Sequence, residues 1–466
     1  MKYKLSSLLG LGVILGGCGV SNNLSVSTNN GQCANGQTGA PYCLSVTIQN
    51  NGGGQNFISS TNFPISNLSV ALSGASNVIS PATNKSMDPS GCTSNNLNPG
   101  SSCTFYLQLS GQNYPVESLE NITVTMNYTI QNTLFGGSTN NYSTAFGIQE
   151  ATNLYIPQTN AYMYTLNGAG FNPVGMSESE NFANSVATDT STYGFVYLAG
   201  NLGIYQYGGI ESSTSSISPS PLTGANNLFT SSGNLYATGL NSATGVWKYS
   251  LSGESFTGTP QYSANSVFST NVNTLSPSSI IYLALNNSGS VYACSNSSGS
   301  NNCIPEGGNV PSSPVTSIGF LQSLSAPYTG LFVGTPNGVY LEAGIIGTIA
   351  ATWVAESTIN TYVNALTNDD NNNLYAGDID GNIWQITQES PTVPTKLGTI
   401  SGGNITNLIV DINADPEILY IIALNSNTYQ LYSCILESTS CTPTNLGNLG
   451  GTAVAGLAIG SSLYGI

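Results

Sequence analysis

The chain has 466 residues, of which only 6% are charged, and its formal net charge is −16. It holds no histidine, and its five basic residues are all lysines. Such a chain cannot neutralise a row of phosphates or bind anionic lipid through a basic patch, which argues against nucleic acid as a partner. Its length exceeds one ordinary domain, and its 53 Gly and 26 Tyr are typical of a folded β-rich protein with many turns.

The N-terminal residues 1–17 are predicted to be a signal peptide. Two lysines precede an apolar segment, residues 5–15, that is too short to span a bilayer. The sequence Leu-Gly-Gly-Cys at residues 15–18 resembles the lipobox of bacterial lipoproteins. This resemblance implies that Cys18 is lipidated, and that the anchor lies in the outer membrane because Gly19 follows it in place of an aspartate. An ordinary secretory signal with an incidental cysteine is the alternative.

The next segments are predicted to be a tether and a β-sandwich. Residues 18–32 are rich in Ser and Asn, and we expect a flexible tether there. Residues 33–150 carry short alternating runs with β-branched residues, separated by Gly, Asn and Pro. Residues 91–111 resemble a bacterial Ig-like module of the HYDIN or choice-of-anchor type, with its Leu-x-Pro-Gly sequence before a Cys-Thr pair. The resemblance implies an Ig-like spacer or docking domain.

Eight cysteines remain once Cys18 is set aside, and they fall into close pairs. The pairs are Cys33 with Cys43, Cys92 with Cys103, Cys294 with Cys303, and Cys434 with Cys441. This clustering favours four local disulfides in an oxidising compartment. A zinc site is the alternative, but the chain has neither histidine nor a Cys-x-x-Cys sequence to build one.

Residues 151–466 repeat with a period in the forties. One aromatic recurs at Tyr155, Tyr197, Tyr236, Tyr282, Phe332, Tyr375, Tyr420 and Tyr464. A second recurs at Tyr162, Tyr205, Trp247, Tyr292, Tyr340, Trp384 and Tyr432. This period predicts a seven-bladed β-propeller, similar in architecture to WD40, NHL and BamB-type propellers but without the WD or GH signatures. The predicted fold is therefore all-β, and we expect the C-terminal strand to complete the first blade and close the ring.

Two aspartates, Asp378 and Asp380, fall in the hairpin predicted between the second and third strands of the sixth blade. Asp, Asn and Gly suit a tight hairpin because they accept positive φ and bond their own backbone. The alternative is a weak calcium site, since the pair looks like half of a calcium loop, although the later ligands are missing. No other cofactor is expected. The nearby residues 367–373 are predicted to be a solvated loop.

The composition also restricts catalysis. Without His or Arg there is no Ser-His-Asp triad, no histidine base and no arginine clamp. A two-carboxylate glycosidase could use Glu342, Glu356 or Asp189, but no spacing singles them out. We therefore expect a non-catalytic, lipid-anchored scaffold of the bacterial envelope. Its partners would be the membrane, through the anchor, and envelope proteins of an outer-membrane assembly such as a secretion complex. A carbohydrate-binding adhesin and a propeller enzyme are the alternatives.

Overall fold

The computed structural model describes about three fifths of the chain. The described residues are 24–30, 43–50, 65–73, 79–81, 97–98, 100–109, 121–132, 138–158, 162–166, 171–175, 184–188, 196–200, 203–207, 215–216, 225, 227–231, 234–238, 246–250, 255–256, 272–275, 281–285, 289–295, 302–322, 324–325, 327–344, 351–369, 371–412, 414, 416–436, 440–450, 452–454 and 456–465. The predicted signal peptide and four predicted site residues, Cys18, Cys33, Cys92 and Asp189, lie outside these ranges.

Every element that the structure describes is a β-strand. The first strands are β1 (Leu24–Asn30), β2 (Cys43–Asn50), β3 (Ile65–Ser73), β4 (Ile79–Pro81), β5 (Ser102–Leu109), β6 (Asn121–Asn132), β7 (Ser138–Ile156), β8 (Tyr162–Leu166) and β9 (Phe171–Gly175). Among the described residues, no helix is long and apolar enough to cross a membrane.

The N-terminal strands form two antiparallel sheets. One has the order β1-β2-β5-β4, and the other begins β3-β6-β7. The expectation of a flexible tether over residues 18–32 is wrong for Leu24–Asn30, because this segment pairs residue for residue with β2. Leu24 and Val26 alternate with polar residues, a pattern that suits an edge strand better than a linker. Whether these sheets form an Ig-like sandwich stays a prediction.

Six four-stranded antiparallel sheets follow, which we call blades two to seven. Blade two is β10 (Ser185–Thr188), β11 (Val196–Ala199), β12 (Ile204–Tyr207) and β13 (Ser215–Ser216), and blade three is β14 (Asn227–Ser231), β15 (Asn234–Thr238), β16 (Val246–Ser250) and β17 (Ser255–Phe256). Blade four is β18 (Val272–Leu275), β19 (Ile281–Leu285), β20 (Ser290–Ser295) and β21 (Asn302–Asn309), and blade five is β22 (Ser317–Phe320), β23 (Tyr328–Thr335), β24 (Gly338–Ala343) and β25 (Thr352–Ala355). Blade six is β26 (Val363–Asn368), β27 (Asn373–Asp378), β28 (Asn382–Thr387) and β29 (Ser390–Thr399), and blade seven is β30 (Gly403–Asp411), β31 (Ile418–Asn425), β32 (Thr428–Ile435) and β33 (Thr444–Gly450).

The last strand, β34 (Ala458–Gly465), closes the ring. It pairs antiparallel with β7, from Ala458 opposite Tyr155 to Gly465 opposite Ile148, so blade one has the order β34-β7-β8-β9. The first strands of successive blades are neighbours all round the ring, and β34 lies between β30 and β10. The architecture is therefore propeller-like, and the predicted role of the C-terminal strand is confirmed.

One strand crosses the predicted domain boundary at residue 150. The first half of β7 pairs with β6, while its last residues pair with β8 in blade one. On the opposite edge of β7, β34 pairs as far back as Ile148. The strand β34 also lies against β1 and β2. The two regions thus share a continuous hydrogen-bonded sheet, and no linker separates them at this point.

The repeated aromatics fill the space between blades. Tyr155, Tyr197, Tyr282, Phe332 and Tyr375 are all at most 2% exposed. Burial on this scale contributes roughly 1.5–3 kcal/mol for each large side chain.

Glycines allow the next blade to approach the second strand of the blade before it. A Cβ at Gly377 would lie 2.3 Å from Ile405 of blade seven, and one at Gly334 would lie 3.0 Å from Val363 of blade six. Side chains larger than glycine would therefore push these blades apart.

Two of the four predicted disulfides are present, Cys294–Cys303 and Cys434–Cys441. The first joins facing residues of β20 and β21, and the second joins β32 to the segment before β33. Each therefore ties the third strand of its blade to the outer strand or the segment leading into it. Cys103 is also disulfide-bonded, and its predicted partner lies outside the described residues.

Candidate functional site

Asp378 ends β27 and organises the hairpin that follows it. Its Oδ1 accepts hydrogen bonds from the backbone N–H of Asp380 at 3.0 Å and of Asn382 at 2.8 Å. Its Oδ2 accepts from Thr361 Oγ1 at 2.9 Å, Asn382 Nδ2 at 2.9 Å and Trp384 Nε1 at 3.0 Å. The side chain is fully buried, whereas Asp380 is exposed. A carboxylate with five donors is well stabilised in such a place.

Asp369 repeats this arrangement nine residues earlier, in the hairpin between β26 and β27. Its Oδ1 accepts from the backbone N–H of Asn371 and of Asn373, both at 2.8 Å. Its Oδ2 accepts from Asn373 Nδ2 at 2.7 Å and from Tyr375 Oη at 2.9 Å. Both aspartates thus receive donors from the second, fourth and sixth residues after them. The expectation of a solvated loop at residues 367–373 is wrong for Asp369, which is only 5% exposed, whereas Asn368 and Asn371 are exposed.

These contacts account for the aspartates of the sixth blade as hairpin residues. The position predicted for Asp378 and Asp380 between the second and third strands is confirmed. Asp378 already directs both oxygens at protein donors, so a calcium ion would have to displace them. Among the described residues, no group of three or more His, Cys, Asp or Glu side chains is placed to hold a metal ion.

Threonines occupy the position of Asp378 in two other blades. In blade five, Thr335 Oγ1 accepts from the N–H of Asn337 at 3.1 Å and donates to Gly338 O at 2.9 Å. In blade three, Thr238 is equally buried, yet neither its Oγ1 nor Trp247 Nε1 has a hydrogen-bond partner among the described residues. Within the described part of blade three, Trp247 therefore lacks the acceptor that Trp384 finds in blade six.

A cleft opens where blades five, six and seven meet at one mouth of the ring. Its volume is about 350 Å³, and none of its lining residues is charged. The polar part of the lining comprises Thr316, Tyr362, Asn364, Asn404, Thr406 and Tyr429. Three of these residues are the second residue of the runs VTSIGF, VNALTN and ITNLIV, which supply the first strands of the three blades. Sequence analysis did not select them, although a polar residue at one fixed place in successive repeats was the available signal.

Hydrogen bonds between neighbouring first strands hold the cleft in shape. Thr316 Oγ1 donates to Val363 O of the next blade. Asn364 Nδ2 donates in the same way to Ile405 O at 2.9 Å. On the other side of the ring, the backbone N–H of Leu228 donates to Ser185 Oγ at 3.0 Å. The cleft residues are therefore fixed by their own ring contacts before any ligand arrives.

The structure brings one sequence candidate for catalysis, Glu342, against a second carboxylate. Glu342 and Glu306 are both fully buried where blades four and five meet, and Thr329 Oγ1 donates to Glu342 Oε2 at 2.8 Å. Burial, and then the facing Glu306, raise the pKa of Glu342 to about 7, although the bond from Thr329 opposes this shift. Burial and these two carboxylates also raise the pKa of Tyr282. Two acceptors facing each other form a hydrogen bond only when a proton lies between them.

Glu356 stands apart from that pair, after β25. It is 5% exposed, and neither carboxylate oxygen has a hydrogen-bond partner among the described residues. Burial raises its pKa to about 8. Burial of this kind favours the protonated form of a carboxyl group, and neither Glu342 nor Glu356 lines the cleft.

The chain is similar to several solved structures at TM-scores below 0.5. The WD40 β-propeller domain of Doa1 aligns with a TM-score of 0.44 and 10% identity, over 72% of this chain and 97% of that one. A protein from Lactobacillus plantarum aligns with a TM-score of 0.48 and 13% identity, over 66% and 99%. A Bacteroides uniformis protein provisionally assigned as a 6-phosphogluconolactonase gives 0.47 and 12%, over 66% and 99%. No protein-family model matches the chain, and no curated protein matches it.

Proposed function

We propose that this protein is a non-catalytic, lipid-anchored binding scaffold of the bacterial cell envelope, and that its ring binds a partner protein at the cleft. The observation that carries the proposal is the uncharged cleft at the mouth of the ring, lined by three successive blades. Concave sites with a few fixed polar groups and aromatic rings are the usual form of a binding site. Cys18 carries the lipid, and the N-terminal strands act as an Ig-like spacer before a seven-bladed propeller.

The side chains that line the cleft favour binding over catalysis. The cleft offers hydroxyl, amide and phenol groups, none of which is a strong base or acid near neutral pH. Two of the three acids named as formal candidates, Glu342 and Glu356, are buried within the ring, and the third, Asp189, lies outside the described residues. A general acid or base must reach its substrate within hydrogen-bond distance, and these carboxyls do not face the cleft.

The envelope setting rests on the N-terminal sequence and the disulfides. The lipobox-like sequence ending at Cys18 supports an outer-membrane anchor, and the disulfides on blades four and seven suit an oxidising compartment. An outer-membrane assembly, such as a secretion complex, is the setting in which a lipid-anchored ring would present its mouth to protein partners.

A carbohydrate-binding role is the second candidate, and one observation favours it. Tyr362 and Tyr429 line the cleft beside the amides of Asn364 and Asn404. Aromatic rings beside amide groups can stack on a sugar ring and hydrogen-bond its hydroxyls. In contrast, the repeated aromatics at the first position are buried and provide no platform for a sugar at Tyr155, Tyr197, Tyr236, Tyr282, Phe332, Tyr375 and Tyr420.

Site-specific crosslinking in intact cells tests the proposal. A photo-crosslinking residue replaces Tyr429 at the cleft, and a matched control replaces Val393, which is 60% exposed on β29 of the outer rim. We expect a discrete protein adduct from position 429 and none from position 393. A glycan array with the mature chain distinguishes the second candidate. Adducts of equal yield and identity at both positions would contradict binding at the cleft.

A further inference from the structure

The threonine hydroxyls that line the cleft have already committed their protons to the protein. Thr316 Oγ1 donates to Val363 O, and Thr406 Oγ1 donates to Ile422 O at 3.3 Å. A hydroxyl has one proton and two lone pairs, so each of these oxygens can offer a ligand only an acceptor. Both therefore favour a ligand that donates.

The orientation of the Asn364 amide leads to the same conclusion. One of its side-chain atoms lies 2.9 Å from Ile405 O, and a carbonyl oxygen can only accept, so that atom must be Nδ2. The same Nδ2 donates its second proton to Asn404 Oδ1, which lies 2.7 Å away. Asn364 is left with its Oδ1 as the group available to a ligand. Three successive blades thus each contribute one acceptor to the cleft.

The net charge of the propeller region favours a cation. Only two of the five lysines, Lys248 and Lys396, lie within residues 151–466, against most of the 21 acidic residues of the chain. Thr361, which precedes the cleft residue Tyr362, donates to the buried Asp378 carboxylate. Phenol rings such as those of Tyr362 and Tyr429 also attract cations over their faces.

We propose that the cleft binds the primary ammonium of a lysine side chain on the partner protein. This inference rests on the proposed function and names the group that the site recognises. An ammonium has three donors and no acceptor, and it matches one acceptor oxygen each from Thr316, Asn364 and Thr406. The negative field of the chain would speed the approach of a lysine-bearing segment and weaken as salt is added.

The test uses the mature lipidated chain in detergent and three blocked, fluorescent Gly-Ser-x-Ser-Gly peptides. Position x is lysine, acetyl-lysine or norleucine, and binding is followed by fluorescence anisotropy. We expect the lysine peptide to bind at least about tenfold more tightly than the other two, which is the effect of one good charged contact. Raising the ionic strength from about 50 mM to about 500 mM should weaken the binding of the lysine peptide.

Variants locate the binding site. Thr316→Val and Thr406→Val each remove one acceptor and should weaken lysine binding about fivefold to tenfold, whereas Thr406→Ser should retain it. Thr238→Val, a buried change in blade three, is the matched control and should bind as the wild type does. Thermal melts of each variant show whether the ring is intact, so that a loss of binding in a folded variant is informative.

The outcomes separate this inference from the proposed function. Equal binding of the three peptides, or binding by none of them, overturns the ammonium assignment, and it does so even if crosslinking at position 429 still captures a protein. A tighter hit on the glycan array would also overturn it. If position 429 yields no adduct, the proposed function fails independently of the peptide results.

Discussion

Asp369 and Asp378 stand just before and at the end of the same strand, β27, and each accepts hydrogen bonds from the second, fourth and sixth residues that follow it. In both cases the fourth residue is an Asn that uses its backbone and its side chain, and the sixth is an aromatic with a polar hydrogen. Blade six therefore contains the same carboxylate-centred turn twice.

The first prediction concerns Asp378→Asn. All five groups around the carboxylate donate hydrogen bonds to it. An amide at this position would lose at least two of these bonds, because its NH2 group would face N–H or O–H donors. We expect the free energy of unfolding to fall by about 2–4 kcal/mol, measured by urea denaturation. The exposed Asp380→Asn is the control and should change it by less than about 0.5 kcal/mol. Equal stability of the two variants would contradict the role assigned to Asp378. If a calcium-dependent melting shift disappeared in the Asp378 variant, the hairpin would be a metal site.

The second prediction compares two buried threonines at equivalent positions. Thr335 Oγ1 makes two hydrogen bonds, so Thr335→Val should cost about 1–2 kcal/mol. Thr238 Oγ1 has no hydrogen-bond partner among the described residues, so Thr238→Val should leave stability within about 0.5 kcal/mol or raise it. Chemical denaturation of both variants measures the difference. A larger loss at position 238 than at 335 would show that Thr238 has an important polar contact.

The third prediction is that stability falls as pH rises. Glu342 and Glu356 have folded pKa values of about 7 and about 8, above the unfolded value of roughly 4.3. A group that binds its proton more tightly when folded stabilises the protein fully below the unfolded pKa and loses that contribution as pH rises through the folded pKa. Each group can therefore change the free energy of unfolding by up to about 1.4 kcal/mol per pH unit between roughly pH 4.3 and its folded value.

Urea midpoints between about pH 4.5 and about pH 8.5 test this dependence. Glu356→Gln should flatten the profile and stabilise the protein at the upper end, whereas the exposed Glu389→Gln is the control and should leave the profile unchanged. A wild-type midpoint that stays constant or rises over this range would contradict the prediction.

The fourth prediction concerns the closing strand. Deleting residues 453–466 removes all the ladder bonds that β34 makes with residues 148–155 and exposes two blade edges. We expect the ring to lose its cooperative melt, seen by circular dichroism and calorimetry. Adding a peptide of residues 453–466 to the truncated chain should restore part of the transition. An unchanged melting temperature after truncation would mean that the ring is stable without this strand.

The fifth prediction concerns the anchor. Replacing Cys18 by Ser should abolish labelling with a fatty-acid analogue and move the protein from the membrane to the soluble fraction, because a transferred lipid is the expected attachment. Cys103→Ser, which alters a disulfide cysteine of the N-terminal region, controls for general effects of cysteine loss. Continued membrane fractionation of the Cys18 variant would contradict lipidation.

The periodic aromatics made the ring predictable. Tyr197, Tyr282 and Tyr375 recur because each blade buries the same face against its neighbour, and this burial imposes one residue type at one interval. The run VAGLAI at residues 454–459 follows the first-strand pattern of VTSIGF and VNALTN, and no such run precedes Tyr155, so the closure could be predicted. A single strand such as β1 carries no repeat, and its short polar sequence resembles a linker until its pairing with β2 is known.

The site was less predictable because it depends on contacts between repeats. Thr316, Asn364 and Thr406 are far apart in sequence and meet only when the ring forms. The burial of Asp378 was missed because aspartates in a hairpin usually face water, and its five donors come partly from Thr361 and Trp384 on other segments. The spacing of Asn and an aromatic four and six residues after each Asp was a signal in the sequence that could have revealed it.

The closure by β34 sets the order of events during biogenesis. Its residues pair with residues 148–155, which are synthesised some three hundred residues earlier. Until then the free edge of β7 runs unpaired from the N-terminal sheets into blade one, open to a chaperone or to the tail of another copy. If two copies exchanged β34, each β34 would make the same bonds with β7 of the other copy as it makes with its own. Crowded nascent chains are therefore prone to domain swapping through this strand pair.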